Sequence, residues 1–279
     1  MTDPQQQTYA GGGGDPLGGL TDLRVERRDE GVVLVTLDLP HRRNMMSGAM
    51  TESWGRAMTA LREDRSVRAV VVTGEGSSFC AGGDLSWIGA EPEASVDALR
   101  DRMLPFYRTW LAVRTLEVPS IAAINGPAVG AGLALALSCD LRYAAQDARL
   151  AVPFTSLGMH PGMATTYLLP EVVGLGVARE LLLTGRVVTG AEAVGLGLVN
   201  QAFPGETLLE EALAIAAKVA AAAPVATRLT KAALQSPPGS YEAALQWEAL
   251  AQPVTLATAD LQEGLRAARE RRTPRFTGR

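Results

Sequence analysis

Hydrophobic residues in the first half of the chain follow two kinds of pattern, one typical of strands and one typical of helices. Short apolar runs at Val32–Leu37, Ala69–Thr73 and Ser120–Ile124 predict buried strands. Over residues 47–63 and 94–116, apolar side chains instead recur every three or four positions, which predicts helices with one buried face. Alternation of strand, helix and strand is typical of right-handed βαβ units with helices packed outside a mostly parallel sheet.

After Pro161 the pattern becomes almost entirely helical. The predicted segments are 162–173, 176–184, 191–196, 206–223, 224–235 and 241–271. We therefore expect an α/β core over residues 21–205 and a helical C-terminal region over 206–279. Residues 1–20 are rich in Gly and Gln with few apolar anchors, which predicts a disordered tail.

Charge and composition narrow the classes of function. The 26 basic and 30 acidic residues give a net charge of −4, which argues against a nucleic-acid-binding protein. No run approaches the roughly 20 apolar residues of a membrane helix, so we expect no membrane insertion. Cys80 and Cys139 lie far apart in a chain without a signal peptide, which favours a reducing cytoplasm. With two histidines and no ligand spacing, no metal site is expected.

Two glycine-rich segments each follow a predicted buried strand. They are Ser77–Leu85 and Asn125–Gly132, and small residues there allow backbone N–H groups to approach a ligand closely. Together the two segments can direct two N–H donors at one carbonyl oxygen, as in an oxyanion hole that stabilises the enolate of a thioester. The alternative is that these glycines only permit tight turns.

Six segments, in order and at family spacing, resemble the signatures of the crotonase (enoyl-CoA hydratase/isomerase) superfamily. The resemblance covers roughly residues 23–276 and is carried by LPHRRN at 39–44, SFCAGGDL at 78–85, PSIAAING at 119–126, GAG with CD at 130–140, LLLTGR with GLV at 181–199, and the closing segment at 260–276. It implies a spiral of stacked ββα units followed by a helical C-terminal trimerisation region. It also implies a homotrimer or homohexamer, and coenzyme A as part of the substrate rather than as a separate cofactor.

The resemblance also implies which residues form the site. The two oxyanion donors fall on the backbone N–H groups of Ala81 and Ala131. Arg42 or Arg43 is expected to meet the CoA phosphates, since a guanidinium matches phosphate oxygens. Asp84 is expected to hold its own loop by hydrogen bonds to backbone N–H groups. The substrate-binding set is His41, Arg42, Arg43, Gly83, Asp84, Leu85, Gly130, Ala134, Pro153 and Phe154.

The pattern departs from the family at the catalytic acids. Family hydratases use two glutamates as general acid and base, and Ala134 and Phe154 occupy those places here. Methyl and phenyl groups cannot transfer protons, so hydration by the two-glutamate route is not expected. His160 is the nearby candidate for proton transfer, and its alternative role is a surface residue at a helix start. The resemblance therefore indicates a lyase or isomerase acting on an acyl-CoA; the alternatives are a non-catalytic acyl-CoA-binding protein and a decarboxylase or thioesterase variant.

Overall fold

The computed structural model describes residues 17–84, 86, 89 and 93–279. A six-stranded sheet forms the centre of this part of the chain. Its strands lie in the order β1, β2, β3, β4, β6 and β9. Their bounds are β1 Leu23–Arg27, β2 Val32–Leu37, β3 Ala69–Gly74, β4 Ser120–Ile124, β6 Leu141–Ala145 and β9 Gln201–Phe203.

The sheet is parallel except at one edge, where β1 and β2 form an antiparallel hairpin. Both faces of β2, β3 and β4 are buried, which explains their continuous apolar runs. A second sheet of three short strands lies in the order β5 Ala128–Val129, β7 Arg149–Ala151 and β8 Val188–Thr189.

Nine helices of the described residues pack around these sheets. They are α1 Gly48–Glu63, α2 Val96–Trp110, α3 Ala131–Ser138, α4 Thr165–Thr184, α5 Gly190–Gly195, α6 Leu208–Ala220, α7 Pro224–Gln235, α8 Tyr241–Leu256 and α9 Ala259–Glu270. Ser47 caps α1 by accepting a hydrogen bond from the Met50 N–H at 3.1 Å. Trp54 of α1 stacks on Trp110 of α2 with ring centroids 5.1 Å apart.

Helix α3 is the buried element on which the site depends. All eight of its residues are buried, which fits its uniformly apolar sequence AGLALALS. Its packing partners include α4 and β5, so its N-terminus is held beside the second glycine-rich segment. The fold therefore places a helix start, with its positive end, next to the strand ends of the central sheet.

The C-terminal helices are tied to the core by buried charged groups. Lys231 on α7 is 6% exposed, and its Nζ lies 2.7 Å from Asp140 Oδ2. On α9, Asp260 is buried and accepts hydrogen bonds from the N–H groups of Thr277 at 2.7 Å and Gly278 at 2.8 Å. These hydrogen bonds hold the C-terminal segment against α9.

The structure confirms the α/β spiral with a helical C-terminal region, with local corrections. The helix predicted from residue 162 begins at Thr165, and the helix predicted over 241–271 is two helices separated at 257–258. Helix α6, expected in the C-terminal region, packs on β3 and β4. Of the predicted tail, residues 1–16 lie outside the described residues, whereas Leu17 and Leu20 pack against the core.

Candidate functional site

The two glycine-rich segments lie side by side in the structure. The Val129 N–H donates to the Cys80 carbonyl oxygen at 3.0 Å. In return, the N–H groups of Phe79 and Cys80 both point at the Pro127 carbonyl oxygen, each at 3.1 Å. These backbone contacts join two loops that are some fifty residues apart in sequence, as the parallel order of β3 and β4 requires.

Helix α3 approaches the first segment so closely that only glycine fits at its second residue. A Cβ built at Gly132 would lie 2.1 Å from the Cys80 carbonyl oxygen. Gly130, just before the helix, has a φ of 55° and donates its N–H to the Ala151 carbonyl oxygen at 2.9 Å. The glycines thus set the position of the helix start, beyond merely allowing a turn.

The hydrogen bonds of the first glycine-rich segment contradict the predicted role of Ala81. The resemblance predicts Ala81 as an oxyanion donor, but its N–H donates to the Arg43 carbonyl oxygen at 2.9 Å. The Gly82 N–H points at the Cys80 thiol. The Gly83 N–H has no acceptor in the part of the chain that the structure describes. Gly83, not Ala81, therefore offers the available donor of this segment.

Ala131 offers the second donor. It is the first residue of α3, where a backbone N–H has no partner within its own helix, and no acceptor for it lies among the described residues. A Cβ built at Gly82 would lie 3.5 Å from the Ala131 nitrogen. By standard backbone dimensions, this keeps the Gly83 and Ala131 nitrogen atoms less than about 7 Å apart. A single oxygen atom that accepts from both N–H groups can bridge two nitrogen atoms that are up to about 6 Å apart.

The side chains at the two positions of the family's catalytic acids are apolar. Ala134 is fully buried one turn into α3. Phe154 is 9% exposed, and its ring edge lies 3.6 Å from the position that a Cβ at Gly130 would take. Pro153 is half-buried immediately before it. No carboxylate stands at either position, so these two side chains can exclude water but cannot move a proton.

Asn44 organises the loop that carries the predicted CoA-binding residues, and sequence reasoning missed it. It is fully buried; its Oδ1 accepts from the Leu39 N–H at 2.9 Å, and its Nδ2 donates to the carbonyl oxygens of Glu75 at 2.9 Å and Ser78 at 2.7 Å. The loop at 39–44 is thereby attached to the loop that enters the first glycine-rich segment. A short polar side chain between two loops is the sequence signal that could have indicated it.

We expect Asn44→Ala to lower the free energy of unfolding by about 2–3 kcal/mol. The change leaves two carbonyl oxygens and one N–H without their partner, each in a buried or part-buried position. Urea denaturation measures the effect. Asn200→Ala is the comparison, because the exposed Asn200 accepts a single hydrogen bond through its side chain, from the Arg142 N–H. A loss for Asn44→Ala no larger than that for Asn200→Ala would contradict the role of Asn44.

The predicted CoA-binding side chains lie on this loop and its neighbour. His41, Arg42 and Arg43 are all exposed. Arg42 lies 3.6 Å from Asp84, whose Oδ1 also accepts from the Ser86 N–H at 2.9 Å, the loop contact expected of that residue. Leu85, also predicted, lies outside the described residues.

The side chains of Cys80 and His160 are less suited to proton transfer than their residue types suggest. Burial raises the pKa of the Cys80 thiol to about 12, so Cys80 is a neutral thiol at physiological pH. The His160 ring is exposed, and its Nδ1 lies 2.8 Å from the Pro161 carbonyl oxygen. Because a carbonyl only accepts, this contact requires a proton on Nδ1.

The described residues offer neither a metal-binding cluster nor a membrane-spanning helix. Across residues 17–84, 86, 89 and 93–279, no cluster of three or more His, Cys, Asp or Glu side chains is arranged to hold a metal ion. Over the same residues, each helix is too short or too polar to cross a membrane.

Comparison with known proteins agrees with the fold and with the order of the motifs. Residues 27–279 match the model of the enoyl-CoA hydratase/isomerase family. A Thermus thermophilus relative whose name includes enoyl-CoA hydratase is 42% identical over 246 residues, covering 88% of this chain and 97% of the relative. The 2,3-dehydroadipyl-CoA hydratase of Escherichia coli is 35% identical over 262 residues, covering 93% and 100%.

Solved structures give the same result. The crystal structure of an enoyl-CoA hydratase from Bacillus anthracis superposes with a TM-score of 0.87 at 36% identity, covering 93% of this chain and 100% of that one. The fold and the site therefore define a crotonase-like α/β protein. With a family match over most of its length, the chain belongs to the enoyl-CoA hydratase/isomerase family.

Proposed function

We propose that this protein binds an acyl-CoA thioester and stabilises its enolate between the backbone N–H groups of Gly83 and Ala131. The observation that carries the proposal is this pair of donors beside the start of the buried helix α3, neither of which has an acceptor among the described residues. Preorganised N–H groups in a dry site stabilise developing negative charge without having to reorient. The positive end of the α3 dipole adds to the same potential.

The reaction class that fits is a lyase or isomerase step that passes through an enolate. Ala134 and Phe154 supply no acid or base, so the family's two-carboxylate hydration does not suit this site. Their apolar surfaces instead favour a bulky or aromatic acyl group. Arg42 and Arg43, exposed on the loop at 39–44 that contacts the first glycine-rich segment, are suited to meet the CoA phosphates.

A second candidate is a non-catalytic acyl-CoA-binding protein. The observation that favours it is Phe154, whose ring lies against Gly130. Hydratases of this family carry a carboxylate at the position of Phe154. Such a protein retains the thioester-binding donors and loses turnover. Decarboxylation and thioester cleavage use the same donors, but no group in the described part of the site favours either reaction.

A panel of acyl-CoA thioesters tests the proposal. Crotonyl-CoA, a long-chain enoyl-CoA and an aromatic acyl-CoA are titrated calorimetrically, and their conversion is followed by chromatography. We expect binding and turnover of at least one member. Binding without turnover of any member would favour the second candidate, and failure to bind every member would contradict both.

His160→Ala is expected to change turnover by less than about threefold. The ring is exposed and its Nδ1 faces a backbone carbonyl, so it is poorly placed to exchange a proton with a substrate in a dry site. Loss of a positioned acid or base costs about 10²–10⁴-fold. A loss in this range, at an unchanged melting temperature, would instead make His160 the proton-transfer group.

We also propose that the protein assembles as a homotrimer or a dimer of trimers through its helical C-terminal region. None of the 16 residues of α8 is buried, and the exposed apolar side chains on it include Tyr241, Leu250 and Val254. An apolar helix face of this kind is typical of a surface that a second copy covers. Light scattering on the purified protein measures the assembly, and a monomer at micromolar concentration would contradict it.

A further inference from the structure

Helix α2 carries a tyrosine whose hydroxyl the fold does not use. Tyr107 is half-buried, and Trp110 on the next turn is fully buried, stacks on Trp54 and donates from Nε1 to Thr51 Oγ1 at 3.0 Å. These contacts hold the C-terminal half of α2, and with it the Tyr107 ring. Among the residues that the structure describes, Tyr107 Oη has no hydrogen-bond partner.

The Tyr107 hydroxyl lies directly against the backbone of Gly162. A Cβ built at Gly162 would lie 2.6 Å from Tyr107 Oη and 3.1 Å from its Cζ. Any larger residue would displace the ring, so glycine leaves room for the hydroxyl at this place. Burial raises the pKa of Tyr107, so the hydroxyl keeps its proton at physiological pH and can donate a hydrogen bond.

The loop that carries Gly162 also contacts the start of helix α3, beside the two proposed donors. It leaves β7, whose Ala151 carbonyl oxygen accepts the Gly130 N–H, and continues through Phe154. The loop then turns back on itself, because the Met159 N–H donates to the Phe154 carbonyl oxygen at 3.0 Å. Gly162 follows Met159 by three residues, a span of at most about 11 Å. One short loop thus contacts the helix start at Phe154 and the Tyr107 hydroxyl at Gly162.

We propose that Tyr107 determines specificity by binding an oxygen carried on the acyl chain of the thioester. This inference rests on the proposed acyl-CoA site. The side chains of Ala134 and Phe154 have no polar atom. A hydroxyl or carbonyl group of the acyl chain that binds beside them would lose its hydrogen bond to water and gain none from these two residues. The neutral Tyr107 hydroxyl supplies the missing partner, and a saturated chain gains nothing from it. The expected preference is about tenfold in dissociation constant, the upper end of what one net hydrogen bond contributes.

Three thioesters of equal chain length test the assignment: butyryl-CoA, 3-hydroxybutyryl-CoA and 4-hydroxybutyryl-CoA. Their dissociation constants are measured by calorimetry for the wild type, Tyr107→Phe and Tyr167→Phe. Tyr167→Phe is the matched control, because Tyr167 is 60% exposed. We expect the wild type and Tyr167→Phe to bind one hydroxylated chain about tenfold more tightly than butyryl-CoA. Tyr107→Phe should bind all three alike, with the wild-type affinity for butyryl-CoA.

The remaining outcomes separate this inference from the proposed function. If the wild type binds all three thioesters without preference, or if the preference survives in Tyr107→Phe, Tyr107 has no such role and the acyl-CoA site stands. A loss of butyryl-CoA affinity in Tyr107→Phe would make the residue structural and overturn the inference. Absence of binding to every thioester by the wild type would remove the acyl-CoA site and the role of Tyr107 together.

Discussion

Ala131→Pro is expected to lower kcat for the acyl-CoA that the protein turns over by about 10²–10³-fold. Proline removes the backbone N–H proposed as one of the two enolate-stabilising donors, and loss of one such donor typically has this effect. The fold should survive, because proline is favoured at the first position of a helix, where its missing N–H has no helical partner. Helix α7 already begins in this way, with Pro224.

The matched control is Ala259→Pro, the same substitution at the first residue of α9. Ala259 is exposed and distant in sequence from both glycine-rich segments. Both variants are compared by melting temperature and steady-state kinetics, with the change expected in kcat of Ala131→Pro alone. A fully active Ala131→Pro protein would show that the Ala131 N–H does not bind the reacting oxygen. An equal loss in both variants would show that the proline effect is structural.

Lys231→Met is expected to lower the free energy of unfolding by about 3 kcal/mol. The Lys231 ammonium is almost fully buried, lies 2.7 Å from Asp140 Oδ2 and donates to the Val118 carbonyl oxygen at 2.8 Å. Methionine keeps most of the side-chain volume but leaves the carboxylate and the carbonyl without their cation. Removing one partner of a buried pair typically costs about 3–5 kcal/mol, and the Asp140 side chain, 24% exposed, favours the lower end.

Urea denaturation measures this loss, with Lys218→Met on the exposed face of α6 as the matched control, expected to cost less than about 0.5 kcal/mol. The double variant Lys231→Met with Asp140→Asn completes the thermodynamic cycle and should recover part of the loss, because the unpaired carboxylate is gone. Equal stability of Lys231→Met and Lys218→Met would mean that the buried pair does not hold α7 to the core.

The fold was largely predictable because its elements have strong local signals. Buried parallel strands such as Ala69–Gly74 are continuous apolar runs, and helix α1 begins at a serine cap with a regular apolar face. Helix boundaries were harder to predict where a helix starts without a capping side chain. Helix α4 begins after Met163 and Ala164, whose φ values of 52° and 53° have no signal in the sequence. The break between α8 and α9 was missed although a capping side chain, Thr258, stands at the start of α9.

The sequence by itself determined which segments meet and what they lack. Gly82 and Gly83, and Gly130 and Gly132, follow two buried parallel strands, and neither Ala134 nor Phe154 can carry a proton. Only the tertiary structure decided which N–H groups are available, because that depends on acceptors far away in sequence. The Arg43 carbonyl oxygen occupies the Ala81 N–H and leaves Gly83 beside Ala131. The contact between Tyr107 and Gly162 was unpredictable for the same reason. The two residues are 55 positions apart, and no local sequence pattern indicates that they meet.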